Sequence, residues 1–338
     1  MKKIYLFTLV VMTFSCKPLT RPDYYSQTSY WKKYQSFLPT NLWYSENQMP
    51  EETYWNWKDY SIHIDRMPNE NAPVKVIILH GAGGNGRIVG LLGNFIHALG
   101  YEYMAPDLIG YGLTKNPKQK NISYSAWVDC VADLINAEQE KDGRPIVLFG
   151  LSMGGMLAYQ VAAKNPAVKG IIVTTLADPR QATVRDDLAG SKWLSRVAMP
   201  IGKITAPVSD HFRVPIRWVS SMEKITIDAA FSQLFAQDML AGGSKIPLRF
   251  LRTFTAYNPA LEPEAFTKCK VLYLQPEKDT WTTLATSKPF YDRISSEKSL
   301  IMLENCGHAP FEEPGVSTMK NAIQDFLSKI NSFEKGSP

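Results

Sequence analysis

The sequence predicts an α/β fold, with a mostly parallel sheet and helices on both of its faces. The order of the elements predicts the fold, and the composition predicts the size of the core. Short apolar runs typical of buried strands alternate along the chain with segments whose apolar residues recur at helical spacing. The composition, 45% hydrophobic and 20% charged over 338 residues, is that of a globular chain large enough for one sizeable core with an insertion.

The elements follow one another in a regular order. Residues 60–67 alternate apolar and polar side chains as a half-buried strand does, and 74–80 form a β-branched run suited to a strand covered on both faces. Further strands are predicted at 145–149, 170–175, 270–275 and 299–304. Helices are predicted to end near Gly100 and to span 123–135 (with Ser123 or Ser125 as N-cap), 153–164 and 317–330.

The first residues are typical of an export signal. Two lysines, an apolar stretch and a small residue predict a signal peptide over 1–15. Cys16 after Ser15 resembles the lipidated cysteine of bacterial lipoproteins, which predicts an extracytoplasmic protein anchored to a membrane. Ordinary secretion and an uncleaved anchor are the alternatives. Residues 16–55, rich in aromatic residues and without a clear period, are interpreted as a tether and an arm lying on the core.

A long segment interrupts the alternation of strands and helices. Residues 178–262 contain short helical patterns, several prolines and many large apolar side chains. Because an unstructured loop of this length is improbable in a compact domain, we interpret it as an inserted helical cap. The core would then consist of two parts, 56–177 and 263–338. The cap's apolar residues would mostly pack on the core, and a few would line a pocket for an apolar group.

Ser152 stands in a glycine-rich turn between two predicted elements. Gly150, Ser152 and Gly154 fit the pattern G-x-S-x-G between a predicted strand and a predicted helix. Glycines let the strand and the helix approach each other closely, and the serine hydroxyl is left projecting from the turn. The alternative is a glycine-rich turn in which the serine has no role. The pattern favours a nucleophile.

A serine nucleophile needs a base and an acid that orients the base. Of the five histidines, His308 alone follows the last predicted strand, in a loop. Asp279, just after the strand 270–275, is the preferred acid because it keeps the order serine, acid, histidine. Asp178, after the strand 170–175, is the alternative acid, although its position before Pro179 also suits a simple turn.

A glycine-rich loop at 79–87 follows a strand and opens a helix. It is a candidate source of one backbone donor for an oxyanion, at Ala82, and the amide of Met153 would be the second donor. Such a loop could instead bind a dinucleotide phosphate, but no acidic residue closes the next strand as that motif requires.

These motifs together resemble the serine α/β-hydrolases that carry a helical cap. The resemblance covers about 56–335 and rests on five motifs in order: His-Gly-Ala-Gly-Gly, Pro-Asp-Leu-Ile-Gly-Tyr-Gly, Gly-Leu-Ser-Met-Gly-Gly, Glu-Lys-Asp-Thr-Trp and Gly-His-Ala-Pro-Phe-Glu-Glu-Pro. It implies an eight-stranded, mostly parallel sheet, a triad of Ser152, Asp279 and His308, and oxyanion donors at Ala82 and Met153. Serine at the nucleophile position disfavours the related dehalogenases and epoxide hydrolases, which carry aspartate there.

The predicted activity is hydrolysis of a small-molecule carboxylic ester with an apolar group. Cleavage of a thioester, an amide or a C–C bond is the first alternative, and a binding protein on a hydrolase scaffold the second. No metal or organic cofactor is implied. The formal net charge is +5 without a basic cluster, so nucleic acid is not expected as a partner. Cys130, Cys269 and Cys306 form neither a disulfide framework nor a metal-ligand spacing.

Overall fold

The computed structural model describes residues 21–116, 122–189, 191–193, 195–196 and 204–335. The predicted signal peptide at 1–15 and the predicted lipidation site Cys16 lie outside these residues. No helix in the described part of the chain combines the length and the apolar character that crossing a membrane requires.

An eight-stranded sheet forms the centre of the molecule, in the order β1-β2-β4-β3-β5-β6-β9-β10. The strands β1 and β2 pair antiparallel, as do β2 and β4, and every pair from β4 to β10 is parallel. The bounds are β1 Glu51–Trp57, β2 Tyr60–Met67, β3 Lys75–Leu79, β4 Glu102–Pro106, β5 Ile146–Gly150, β6 Val168–Val173, β9 Lys270–Pro276 and β10 Lys298–Leu303. The predicted α/β fold with a mostly parallel sheet is confirmed.

Helices connect the parallel strands and cover the sheet. The α-helices are α1 Tyr30–Gln35, α2 Gly86–Ala98, α3 Tyr124–Asp142, α4 Met153–Lys164, α5 Ala182–Ala189, α6 Ala206–Ser209, α7 Ala229–Gln237, α8 Leu248–Thr255, α9 Leu284–Tyr291 and α10 Gly315–Lys335. Local chemistry sets their ends. The hydroxyl of Ser123, not that of Ser125, caps α3 by accepting from the amide of Ala126, and Gly143 ends the helix in the left-handed region at φ 68°.

The sheet begins earlier than the sequence suggested. The strand β1 starts at Glu51, inside the segment 16–55 that was interpreted as tether and arm. Exposed and half-buried side chains alternate from Glu51 to Tyr54, and the alternation breaks at Trp55, in an edge strand that pairs only with β2. The preceding residues, from 21, form the N-terminal arm, which places Trp31, Tyr34 and Leu42 in the core.

The insertion between β6 and β9 covers the sheet edge at which the parallel strands end. It contains α5 to α8 and also a small antiparallel pair, β7 Arg213–Pro215 with β8 Lys245–Pro247, so it is not purely helical. The helix α8 is seated on the core through Phe250, whose ring centroid lies 4.5 Å from that of Trp127. The insertion buries some of its aromatic and methionine side chains (Met222, Phe231, Phe235, Phe250 and Phe254) and exposes others (Trp193, Phe212, Trp218 and Met239).

Candidate active site

Ser152 lies in a strained turn between β5 and α4. Its backbone has φ 55° and ψ −126°, in a region where residues with a side chain are rarely found. The turn is possible because its neighbours lack a β-carbon: one on Gly154 would lie 2.2 Å from the carbonyl oxygen of Leu79, and one on Gly155 would lie 2.2 Å from that of Thr175. The amide of Ser152 donates to the hydroxyl of Thr174 at 2.9 Å, which fixes the turn from the next strand.

The structure brings Ser152 and His308 together from positions 156 residues apart. The Nε2 atom of His308 lies 2.7 Å from the Oγ of Ser152, and its Nδ1 atom lies 2.8 Å from the Oδ2 of Asp279. A carboxylate can only accept at Nδ1, so this pairing assigns the proton to Nδ1 and leaves Nε2 free to accept the serine proton. The imidazole is only 2% exposed, so its orientation is held by its surroundings.

Asp279 is held as an anion at the end of β9. Its Oδ1 accepts from the amides of Trp281 and Thr282 at 2.8 and 2.9 Å, and its Oδ2 accepts from the Thr282 hydroxyl at 2.7 Å. Burial opposes ionisation of Asp279, but the adjacent imidazole of His308 and these hydrogen bonds outweigh it and lower the pKa of the carboxyl group below its usual value.

Two residues in this cluster were not identified from the sequence. The hydroxyl of Thr282 also lies 3.1 Å from Nδ1 of His308, and the ring centroid of Trp281 lies 4.6 Å from that of the imidazole. Both directly follow the acid in the segment Asp-Thr-Trp-Thr, where a carboxylate commonly accepts from amides two and three residues ahead. That local turn was the signal that could have indicated them.

The alternative acid lies in a different arrangement. Asp178 accepts from the amide of Arg180 at 3.0 Å and forms an ion pair with its guanidinium group at 2.8 Å. The same guanidinium binds Glu262. Asp178 is therefore engaged in an Asx turn and a salt bridge, whereas Asp279 contacts the imidazole.

The loop before α2 lies beside the serine. A β-carbon on Gly81 would lie 2.7 Å from that of Ser152, so the loop passes Ser152 at close range. His80 supports it: Nε2 accepts from the amide of Leu108 at 2.9 Å, which places the proton on Nδ1, 2.7 Å from the carbonyl oxygen of Gly81. Ala82 and Met153 line one cavity together with Ser152, and within the described residues neither of their amides has an acceptor.

Two cavities meet at Ser152. The larger encloses about 730 Å³, including its open mouth, between the sheet edge and the cap. Apolar residues make most of its wall, among them Met156, Leu188, Ile216, Val219, Leu251, Phe254 and Trp281. Its cationic residue, Arg185, donates to the carbonyl oxygens of Pro179 and Arg180. The smaller cavity has a volume of about 480 Å³, again including its open mouth, and also touches His308.

One group in the described part of the chain has the spacing of metal ligands. Glu52, His63 and Asp65 place one ligand atom each within 4.8 Å of the others. Arg87 already occupies this site: its guanidinium lies 2.9 Å from Asp65 and 3.2 Å from Glu52. A cation would have to displace this buried guanidinium, so the donor set does not fit a metal ion.

Two curated proteins are similar in sequence to part of this chain. The chain shares 32% identity over 121 residues with Lipase LipV of Mycobacterium tuberculosis, which is 36% of this chain and 42% of that protein. It shares 30% identity over 103 residues with the thermostable monoacylglycerol lipase of a Bacillus species, which is 30% of this chain and 40% of that protein. The matched segments thus span about two fifths of these curated relatives.

Solved structures extend the likeness to the whole fold. A soluble variant of the monoglyceride lipase of Saccharomyces cerevisiae matches with a TM-score of 0.67 and 17% identity, over 85% of this chain and 98% of that one. The monoacylglycerol lipase of Paleococcus ferrophilus matches with a TM-score of 0.63 and 16% identity, over 80% and 99%. These likenesses show an α/β-hydrolase fold. Residues 70–315 match the family described as serine aminopeptidase, S33 (Hydrolase_4), and the chain belongs to that family.

Proposed function

We propose that this protein hydrolyses carboxylic esters through an acyl-enzyme on Ser152. One observation carries the proposal: the Oγ of Ser152, projecting from a strained turn, lies 2.7 Å from an imidazole nitrogen whose other side is paired with Asp279. A serine hydroxyl is a weak nucleophile until such a base removes its proton. The partial similarity to two lipases supports an ester as the substrate.

The proposed reaction assigns one group to each step. Oγ of Ser152 attacks the ester carbonyl carbon while Nε2 of His308 takes the hydroxyl proton. The oxyanion formed on the carbonyl oxygen accepts from the amides of Ala82 and Met153. His308 then gives the proton to the leaving alkoxide as the C–O bond breaks. A water molecule, deprotonated by His308, attacks the acyl-enzyme and releases the carboxylic acid and Ser152.

The larger cavity supports an apolar acyl group. Polar side chains of its wall donate to backbone carbonyls: Ser220 donates to the carbonyl of Ile216, and Thr255 donates to that of Arg252. The surface left for a substrate is therefore apolar, and burial of an alkyl chain against it is favourable.

The family description suggests a second activity, removal of an N-terminal amino acid. Such an enzyme must bind a protonated α-amino group, for which a carboxylate is the natural partner. Of the described residues that line the two cavities at Ser152, none is Asp or Glu. This lining favours an ester with apolar substituents over a peptide with a free amino terminus.

A fluorophosphonate probe tests the proposal directly. The wild type should be labelled stoichiometrically, and Ser152→Ala should not be labelled, because only an activated serine reacts at a useful rate. Hydrolysis of short p-nitrophenyl esters should fall by about 10⁴- to 10⁶-fold in the same variant, since triad members act as a unit. Ser125→Ala, which removes an exposed hydroxyl that lines neither cavity, is the matched control. Full activity in Ser152→Ala would overturn the proposal.

The cellular location is part of the proposal. We infer that the protein is extracytoplasmic and attached to a membrane through a lipid on Cys16. The charged and apolar segment before this cysteine supports the inference.

A further inference from the structure

The smaller cavity touches the reacting serine from a separate side. It shares only Ser152 and Ala82 with the larger cavity among the described lining residues, and it alone touches His308. Four parts of the chain form it: the loop 81–84 with the start of α2, the turn at Leu151, the cap segment 225–235, and the loop 308–311. A substrate lying across Ser152 would therefore have one part in each cavity.

The wall of the smaller cavity is apolar and well packed. Its large side chains are all buried: Ile88, Val89, Leu151, Ile225, Phe231, Phe235 and Phe311. The ring of Phe231 packs at 5.6 Å from that of Phe311 and at 5.4 Å from that of Tyr34 in the N-terminal arm. The cap and the arm thus hold this wall in place.

Few polar atoms are left for a ligand in this cavity. Ser152 and His308 are the only described lining residues with polar side chains, and they bind each other. Backbone groups of the wall are also engaged: the amide of Gly84 donates to the carbonyl of Gly81 at 3.1 Å, and the amide of Ala309 donates to that of Ile225 at 2.6 Å.

The chemistry of the reaction assigns a part of the substrate to this cavity. His308 must deliver a proton to the leaving oxygen, so the leaving group lies on the side of the imidazole. The acyl group then lies on the other side, in the larger cavity with Met153. Both assignments use only the positions of His308 and the two cavities relative to Ser152.

We propose that the smaller cavity binds the alcohol part of the ester and that this alcohol is apolar, an alkyl or aryl alcohol rather than glycerol. This inference rests on the proposed ester hydrolysis. Glycerol would bring two further hydroxyl groups into the cavity, and each would lose its hydrogen bonds to water without a partner in the wall. An alkyl chain would gain from burial against Phe231 and Phe311.

Three esters of one acid separate these cases. Methyl butanoate, hexyl butanoate and glyceryl monobutanoate are compared by acid release, each below its solubility limit. kcat/KM is the relevant constant because it reports acylation, the step that expels the alcohol. We expect kcat/KM to rise from methyl to hexyl by at least tenfold, since each buried methylene contributes up to about fourfold. The glyceryl ester should not exceed the methyl ester.

Two matched substitutions test which cavity binds which part. Val89→Phe fills the smaller cavity and should lower kcat/KM for hexyl butanoate at least tenfold relative to kcat/KM for methyl butanoate. Val219→Phe fills the larger cavity and should instead lower kcat/KM for methyl octanoate relative to kcat/KM for methyl acetate. Probe labelling of Ser152 and circular dichroism establish that each variant is folded. If Val89→Phe does not fold, Ile225→Ala enlarges the same cavity and should shift the preference towards longer alcohols.

The outcomes distinguish this inference from the proposal it depends on. Equal rates for methyl and hexyl esters, or a preference for the glyceryl ester, would overturn the apolar alcohol while hydrolysis dependent on Ser152 remained. If Val89→Phe changed only the preference for acyl length, the smaller cavity would bind the acyl group, and the assignment would be overturned. Absence of all ester hydrolysis, with no probe labelling, would remove the proposed function and the inference with it.

Discussion

The Nδ1 atom of His63 lies 3.2 Å from a carboxylate oxygen of Asp107, and both side chains are fully buried. Asp107 also accepts from the amide of Gly86 at 2.6 Å, directly after the loop that carries Ala82. The hydroxyl of Tyr25, in the N-terminal arm, donates to the same carboxylate at 3.0 Å. Through Asp107, this buried polar cluster therefore connects the N-terminal arm and β2 to the loop beside Ser152.

The cluster predicts that stability falls in alkaline solution. Burial opposes a charge on His63, but Asp107, Glu52 and Asp65 outweigh it and raise the pKa of the imidazole from 6.5 to about 10. Because the folded state holds its proton more tightly, the stabilisation is complete below pH 6.5 and is lost as the pH rises towards 10. Chemical denaturation between pH 7 and 9 should show a loss of about 1 kcal/mol per pH unit.

A matched variant identifies the titrating group. His63→Gln keeps hydrogen-bonding capacity without a titration, so its stability should be lower at pH 7 and nearly independent of pH up to 9. His97→Gln, on α2 and outside the cluster, should keep the wild-type slope. The same alkaline loss in His63→Gln would assign the effect to another group.

The sequence allowed the triad to be proposed because each member follows a strand directly. Parallel strands end at one edge of a sheet, so Ser152 after β5, Asp279 after β9 and His308 after β10 had to lie near one another. Glycine spacing indicated the turn because a side chain would not fit there: a β-carbon on Gly154 would lie only 2.2 Å from the carbonyl oxygen of Leu79.

Other parts depend on contacts that sequence periodicity does not encode. The strand β1 joins the sheet at its edge, where the alternation of exposed and half-buried side chains is irregular, so the sequence pattern predicts no strand before 60–67. The smaller cavity is formed by residues from four separate segments, and no single segment indicates it. In the sequence, nothing distinguishes Phe231 from the other apolar residues of the cap, and its contact with Phe311 is seen only in the folded chain.

Lipidation of Cys16 predicts where the protein is found. The wild type should sediment with membranes after cell fractionation, because several acyl chains anchor a protein stably. Cys16→Ser should move it to the soluble extracytoplasmic fraction, and Cys130→Ser, at a buried core position, should not. Recovery of the wild type in the soluble extracytoplasmic fraction alone would exclude the anchor.

The two candidate acids predict opposite results. Asp279→Asn should leave the fold intact and lower kcat by about 10⁴-fold, because an amide cannot hold the imidazole in the tautomer that accepts from Ser152. Asp178→Asn should change kcat much less, since its carboxylate contacts Arg180 and not His308. Circular dichroism and ester turnover are measured on both variants. A larger loss of kcat in Asp178→Asn would assign the orienting acid to the end of β6.

Thr282 is predicted to be a positioning residue. Its hydroxyl donates to Oδ2 of Asp279 at 2.7 Å, the same oxygen that pairs with Nδ1 of His308. Thr282→Val keeps the shape but leaves this carboxylate one donor short, and a hydrogen bond to a charged group contributes about 1.5 to 3 kcal/mol. We therefore expect kcat to fall by about 10- to 150-fold, less than in Asp279→Asn. KM should be nearly unchanged, because Thr282 does not line either cavity. Thr282→Ser restores the donor and should recover most of kcat. A loss in Thr282→Ser equal to that in Thr282→Val would show that packing of the methyl group, and not the hydrogen bond, sets the effect.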